Sequence, residues 1–236
     1  MKMPLGNEAY NFIREQGYLH IPRYMDSDTT LEIYEAIREV VFQESLRAYN
    51  TPEFYKLHQA INFTFDNPHL NNEILRKFSE SLSKVSNQII GPSDFHMTLI
   101  QHNKSGLNHS IPWHQDIDSS AEPGNFYNFL FYPHDSNESI GGLRVVPKSH
   151  TAGPLSQGGS HDYLEGEITI FPKAGDLIIV DGLTFHAVSP NLSEQDRVSF
   201  CTRYISKELI GTKALDIGRY RTGSYDYAEK KDLDFA

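Results

Sequence analysis

Apolar side chains follow two different periods along this chain. Up to about residue 92 they recur at helical spacing, and beyond it they fall into short alternating or continuous runs. Residues 4–16 fit a short helix that stops at Gly17, where a left-handed cap is easy. Tyr18-Leu19-His20-Ile21-Pro22 reads as a brief edge strand closed by proline. Asp26 or Ser27 can cap a second helix through Leu31, Ile33, Tyr34, Ile37, Val40 and Val41. Residues 50–70 have no clear period and are expected to be irregular. Asn71 or Asn72 starts a third helix through Ile74, Leu75, Phe78, Leu82 and Val85, stopped by Gly91-Pro92. Short strands are then expected at 95–101, 111–117, 126–132, 143–147, 167–171, 176–181 and 197–205, divided by Gly, Pro, Asn and Ser. Many short strands after a helical start predict a mainly β fold with flanking helices, a double-stranded β-helix or cupin-like jelly roll. The division expected is a helical part over about 1–92, a jelly-roll core over about 93–206 and a tail, all in one domain. The glycine-rich stretch 153–160 reads as a surface loop able to act as a lid.

Composition narrows the classes. With 39% hydrophobic residues, 13 Tyr and 14 Phe, 236 residues can bury a core without staples. A formal net charge of −10 argues against nucleic-acid and anionic-membrane surfaces. The single cysteine, Cys201, allows no internal disulfide and suits a reducing compartment. Met1 to Tyr10 lacks the basic-plus-apolar pattern of a secretory signal, and no long apolar run follows. The expectation is a cytoplasmic protein with a small-molecule partner.

Candidate chemistry centres on Ile111-Pro112-Trp113-His114-Gln115-Asp116-Ile117. On a strand, residues two apart share a face, so His114 and Asp116 would present an imidazole and a carboxylate side by side. A second histidine from elsewhere would complete the two-His, one-carboxylate face used for non-haem Fe(II). His186, in Gly182-Leu183-Thr184-Phe185-His186-Ala187-Val188-Ser189-Pro190-Asn191, is the candidate. Taken singly these residues decide nothing, because the chain has 11 histidines and most histidines pack or face solvent. Their order and spacing carry more. Trp113-His114-Gln115-Asp116 is followed by Gly141-Gly142-Leu143-Arg144-Val145-Val146-Pro147-Lys148-Ser149-His150. Then come Ala174-Gly175-Asp176-Leu177-Ile178-Ile179-Val180-Asp181 and His186, with Arg197 eleven residues after that histidine.

Together these segments, with Phe12-Ile13-Arg14-Glu15-Gln16-Gly17-Tyr18-Leu19-His20-Ile21-Pro22, resemble the phytanoyl-CoA dioxygenase family of Fe(II)/2-oxoglutarate oxygenases. The resemblance implies that His114, Asp116 and His186 hold iron and that Arg197 holds the far carboxylate of 2-oxoglutarate. Arginine suits that task through its planar two-pronged donor face. Softer implications are cosubstrate contacts by Thr98, by Gln115 inside the H-x-D and by Asn128. Two positions depart from the family pattern. Val188 stands where members often carry serine, and Tyr127-Asn128 where they often carry tryptophan, so either the cosubstrate is held somewhat differently or Thr98 and Asn128 compensate. If the Arg197 face of its strand is internal, it also carries Ser199, Cys201 and Arg203, and a buried Arg203 needs a partner. Arg144, Arg203, Arg219 and Arg221 could favour an anionic substrate, and His96 and His102 could touch substrate near the barrel mouth.

The function expected is therefore hydroxylation of a small metabolite by Fe(II), 2-oxoglutarate and O2, with release of succinate and CO2. Desaturation, epimerisation or cyclisation on the same iron centre is the alternative. A catalytically silent cupin-like binding module and a zinc hydrolase are the competing classes. The second lacks an evident general base.

Overall fold

A computed structural model of the chain describes residues 5–48, 61–64, 72–103, 105–106, 110–155 and 163–215, with side chains described in all but 43–48 and 61–64. In chain order the elements are α1 (Asn7–Gln16), β1 (Tyr18–Ile21), α2 (Ser27–Ala48), β2 (Ile61–Thr64), α3 (Glu73–Ile89), β3 (Ser93–Asn103) and β4 (Ile111–His114). They continue with β5 (Phe126–Tyr132), β6 (Leu143–Val145), β7 (Ile168–Ile170), β8 (Asp176–Asp181), β9 (His186–Val188) and β10 (Arg197–Ser206).

Local chemistry explains the helices. Gly17 closes α1 at φ 78°, its N–H donating to the Ile13 carbonyl. Asp26 accepts from the Thr29 N–H at 2.9 Å ahead of α2. Asn72 caps α3 by accepting from Ile74 N at 3.0 Å and Leu75 N at 3.2 Å. The three described α-helices each carry an apolar stripe, and those stripes are buried together against one face of a sheet.

The strands form two antiparallel sheets, a jelly roll. The larger has the order β1-β8-β5-β10-β3-β2 and the smaller β4-β9-β6-β7. Strand alternation divides the larger sheet cleanly. Tyr127, Phe129, Phe131, Leu177, Ile179, Val198, Phe200 and Tyr204 point outward into the helices. The opposite face sends Tyr132, Ile178 and Val180 toward Leu143, Val145 and Val188 of the smaller sheet.

The structure also differs from expectation in places. Residues 61–64, expected to be irregular, form β2 at the free edge of the larger sheet beside β3. The run 111–117 is strand only to His114, and a short strand at 186–188 went unforeseen. Three residues leave no room for a readable period. The stretches 156–160, 216–236 and most of 50–70, with Arg219 and Arg221, lie outside the described residues. No described helix is long and apolar enough to cross a membrane.

Phe78 of α3 joins the helical layer to the sheet, its ring 4.9 Å from Phe131 and 6.0 Å from Phe200. Phe78→Ala should lower the unfolding free energy by about 3–5 kcal/mol, because a cavity opens in a layer with no slack. A urea midpoint shift well under that range would show that α3 contributes little to holding the outer face.

Candidate metal centre

Three side chains converge between the sheets. His114 ends β4, His186 opens β9, and the two are direct partners in that ladder. Asp116 lies beyond the strand end, where its N–H donates to the Gly182 carbonyl at 2.7 Å. The pairing of His114 with Asp116 is thus made by the chain's exit from β4 and not by strand alternation. One ligand atom from each of the three lies within 4.8 Å of the others. His186 Nε2 is 3.1 Å from Asp116 Oδ2, and His114 Nε2 is 3.9 Å from Asp116 Oδ1. Donors bound side by side to a metal at about 2.1 Å stand about 3 Å apart, so small adjustments suffice.

The surroundings select the ionic forms that a metal needs. His114 Nδ1 bonds the Pro112 carbonyl at 2.8 Å, and His186 Nδ1 bonds the Thr184 carbonyl at 2.8 Å. A carbonyl only accepts, so each Nδ1 donates to it, and Nε2 is the ring nitrogen each histidine turns inward toward Asp116. Burial and the neighbouring His186 push the His114 pKa down to about 4. Burial alone would raise the Asp116 carboxyl, but the Arg203 guanidinium and the two imidazoles outweigh it and hold the group well below the usual carboxylate range. Arg203 Nη2 donates to Asp116 Oδ1 at 2.7 Å, and Asn128 Nδ2 donates to Oδ2 at 2.7 Å. Both carboxylate oxygens are therefore fixed.

A second cation faces the same interior. Arg197, at the start of β10, is 3% exposed. Its Nη1 donates to the carbonyls of Ile140 at 2.9 Å and Ser189 at 2.7 Å, while its Nη2 is buried with no hydrogen-bond partner among the described residues. A buried guanidinium nitrogen left unpaired is costly, which marks a place for an anion. Room for the guanidinium comes from Gly141, held at φ 86°, where an added Cβ would collide with Arg197 Nη1 and the carbonyls of Ser189 and Pro190.

Other expected site residues are placed differently. Gln115 does not join the cluster. Its amide donates to the carbonyls of Leu183 at 2.8 Å and Gly153 at 3.2 Å and accepts from Leu155 N at 2.9 Å. It ties the start of the 153–160 loop to the ligand-bearing turns. Thr98 must be corrected as a cosubstrate contact. It pairs with Thr202, on the outer face, where the Thr202 hydroxyl meets Ser79 of α3 at 3.1 Å, whereas Arg197 and Arg203 point inward. Asn128 is inward but bonds Asp116, so its role moves from cosubstrate to carboxylate. Arg144 lies on the outer face of the smaller sheet, stacked 4.7 Å over Trp113 and bonded to Glu167 at 2.6 and 2.9 Å, so it is spent on structure and is no anion-binding candidate. His102 is engaged by Asp196 at 2.7 Å on the outer face, which removes it from substrate contact. The Nδ1 acceptors and the Asn128 bond had no signal in the sequence, since every residue carries a carbonyl and amides are common.

The low His114 pKa makes the metal-free protein sensitive to acid. The unfolded chain takes up a proton at this residue below about 6.5, the folded one only below about 4. Acidification through that window therefore favours unfolding, and stability rises with pH across it, by up to about 3 kcal/mol. Urea unfolding of metal-free wild type and His114→Gln should show a shallower pH slope in the variant. Equal slopes would mean that His114 is already protonated in the fold.

The chain matches the family described as Phytanoyl-CoA dioxygenase (PhyH) over residues 13–199. No curated protein matches it in sequence. Among solved structures it is similar to the epimerase SnoN in complex with Fe3+, alpha ketoglutarate and nogalamycin RO, at 15% identity and TM-score 0.68 over 84% of this chain and 82% of that one. It is similar to the carbocyclase SnoK from nogalamycin biosynthesis at 18% identity and TM-score 0.67, over 87% of each chain. HygX from Streptomyces hygroscopicus, with nickel and 2-oxoglutarate bound, is similar at 15% identity and TM-score 0.70 over 87% of this chain and 88% of that one. At such identities the structural likeness is one of fold.

Proposed function

The chain belongs to the phytanoyl-CoA dioxygenase family, and from that premise we propose that it is an Fe(II)- and 2-oxoglutarate-dependent oxygenase that hydroxylates a small molecule. The observation that carries the reading is the buried, half-satisfied guanidinium of Arg197 on the same inner face as the His114, Asp116 and His186 donors. A metal cluster alone would suit several chemistries. A metal cluster beside a buried cation awaiting an anion suits a chelating dicarboxylate.

Each residue has a definite task. His114 and His186 offer Nε2 lone pairs, and Asp116 offers one anionic oxygen, which together suit Fe(II). Arg203 and Asn128 keep Asp116 ionised and fixed in orientation. Arg197 holds the distal carboxylate of 2-oxoglutarate. Val188, beside Leu143 in the inter-sheet core, offers no hydroxyl there, so Arg197 carries more of that anchoring. Bound Fe(II) with 2-oxoglutarate supplies the reduction of O2, one oxygen atom leaving in succinate, alongside CO2, and the other entering the product. The free, buried Cys201 fits a reducing, cytoplasmic setting.

His114→Ala, Asp116→Ala and His186→Ala should each abolish tight Fe(II) binding while far-ultraviolet circular dichroism stays unchanged. Arg197→Ala should retain iron and weaken 2-oxoglutarate by about 2–4 kcal/mol, the value of a charge-assisted pair in a desolvated place. Anaerobic titration of the visible charge-transfer band reads both. Unchanged 2-oxoglutarate affinity in Arg197→Ala would move the anchor elsewhere, and loss of the band in wild type would favour a silent binding module.

Epimerisation or ring closure on the same centre is a second reading, since the fold relatives SnoN and SnoK are named as an epimerase and a carbocyclase. Turnover under 18O2 with excess chloride separates the outcomes. Hydroxylation places one 18O in the product, and the Asp116 carboxylate, occupying a metal position, keeps chlorine out of it. An unlabelled product would favour epimerisation, desaturation or ring closure, and a chlorinated one would overturn the ligand assignment.

A further inference from the structure

Near the Asp116 end of the inner face stands a ring nitrogen that no described residue satisfies. In the β3–β10 ladder Met97 pairs with Arg203 and Phe95 with Tyr204, so His96 is the extra residue of a β-bulge. Without the bulge, His96 would oppose Tyr204 and point outward into the helical layer. Phe95 takes that position instead, edge-on to Tyr204 at 6.1 Å. The His96 ring meets Phe126 at 6.1 Å, and Phe126 also lies under the Arg203 guanidinium at 5.6 Å. Arg203 in turn holds Asp116 at 2.7 Å. The bulge therefore re-aims His96 toward the metal-bearing interior, a common use of bulges beside active sites.

The half-buried ring has its Nε2 fully buried and without a hydrogen-bond partner among the described residues. Such an atom is expected to find one. We infer that His96 is a specificity-determining residue whose Nε2 hydrogen-bonds a hydroxyl or other uncharged polar group of the substrate. This rests on the oxygenase reading for the presence of a substrate at the site. The chemistry of the partner follows from the neighbourhood. Burial and the nearby Arg203 both push the His96 pKa down, so the ring is neutral near pH 7 and can donate or accept. A carboxylate would gain little from a neutral imidazole, and the closest cation is committed to Asp116. A hydroxyl fits either tautomer.

Two comparisons test it. His96→Phe keeps a ring of similar size and removes both ring nitrogens, of which Nε2 is the buried one without a partner among the described residues. In the substrate-free protein its urea midpoint should equal or exceed that of wild type. A clear fall would show that Nε2 already has a partner in the fold, and would overturn the inference. In the second, a panel of sugars, aminocyclitols, glycosides and hydroxylated aromatics is scored by stimulation of succinate formation, and the strongest responder is the probe. For that compound KM should rise about tenfold or more in His96→Phe, the value of one lost hydrogen bond, with a smaller change in kcat. His96→Gln should recover part of the loss. An unchanged KM would overturn the inference. Fe(II) and 2-oxoglutarate titrations on the same proteins keep the two readings apart. Failure of both ligands to bind wild type sinks the oxygenase, whereas normal binding with unchanged KM sinks only the role of His96.

Discussion

A carboxylate sealed between two β-sheets is tolerable only when its charge is answered on the spot, and Asp116 is such a group. Its side chain is 6% exposed, far from the solvation that normally supports an ionised acid. Arg203 answers the charge through Oδ1 and Asn128 takes Oδ2. Removing either partner would leave a buried group unsatisfied, so the three residues stand or fall together. They come from the turn after β4, from β10 and from β5, and Asn128 and Arg203 are direct partners in the ladder of the larger sheet. The ladder of that sheet thus places both partners of the one carboxylate side by side.

The two sheets divide the work. The smaller sheet brings His114 and His186 together, each ring locked by the carbonyl two residues earlier in its own chain. The larger sheet supplies the cations and amides that control charge. Asp181 links the two, since its carboxylate accepts from Gly124 N at 2.6 Å and Leu183 N at 2.9 Å and so braces the turns leading away from Asp116 and toward His186. The Gln115 amide clasps one of those turns to the chain at Gly153 and Leu155. Loops that carry ligands are held by backbone-directed side chains, which is how a loop acquires the rigidity of a strand.

Much of this was legible in the sequence, for a physical reason. Regular alternation on β10 put Arg197, Ser199, Cys201 and Arg203 on one face, and the need for a partner to Arg203 followed from burial cost alone; Asp116 is that partner. Helix caps and stops at Gly17, Asn72 and Gly91 were readable because they act locally. The failures were of register. Thr98 looked well placed until pairing with Thr202 fixed it outward, and no local signal sets which residue of β3 opposes which of β10. The same ladder hides a bulge that reverses the direction of His96. Alternation predicts that His114 and Asp116 are neighbours, but β4 ends at His114 and the turn beyond it brings Asp116 alongside. The acceptors that fix the imidazole tautomers are main-chain atoms, which no residue pattern can announce.

Charge also orders the way the site fills. Counting the imidazoles as neutral ligands, the interior holds Asp116, Arg203 and Arg197, with the first two already paired. Fe(II) brings two positive charges and 2-oxoglutarate two negative ones. Arriving together they leave the total charge of the interior unchanged, while either alone shifts it by two units in a region where screening is weak. On the proposed assignment, metal without cosubstrate would add positive charge near Arg203 and leave Arg197 unanswered. Cosubstrate without metal would satisfy Arg197 but set its chelating end against Asp116. On that assignment the buried arrangement would favour the pair over either member, and any such coupling is reciprocal by thermodynamic necessity. A substrate group meeting His96, as inferred above, would enter a site whose ionic demands are already met, so an uncharged partner there would add no new charge to be neutralised.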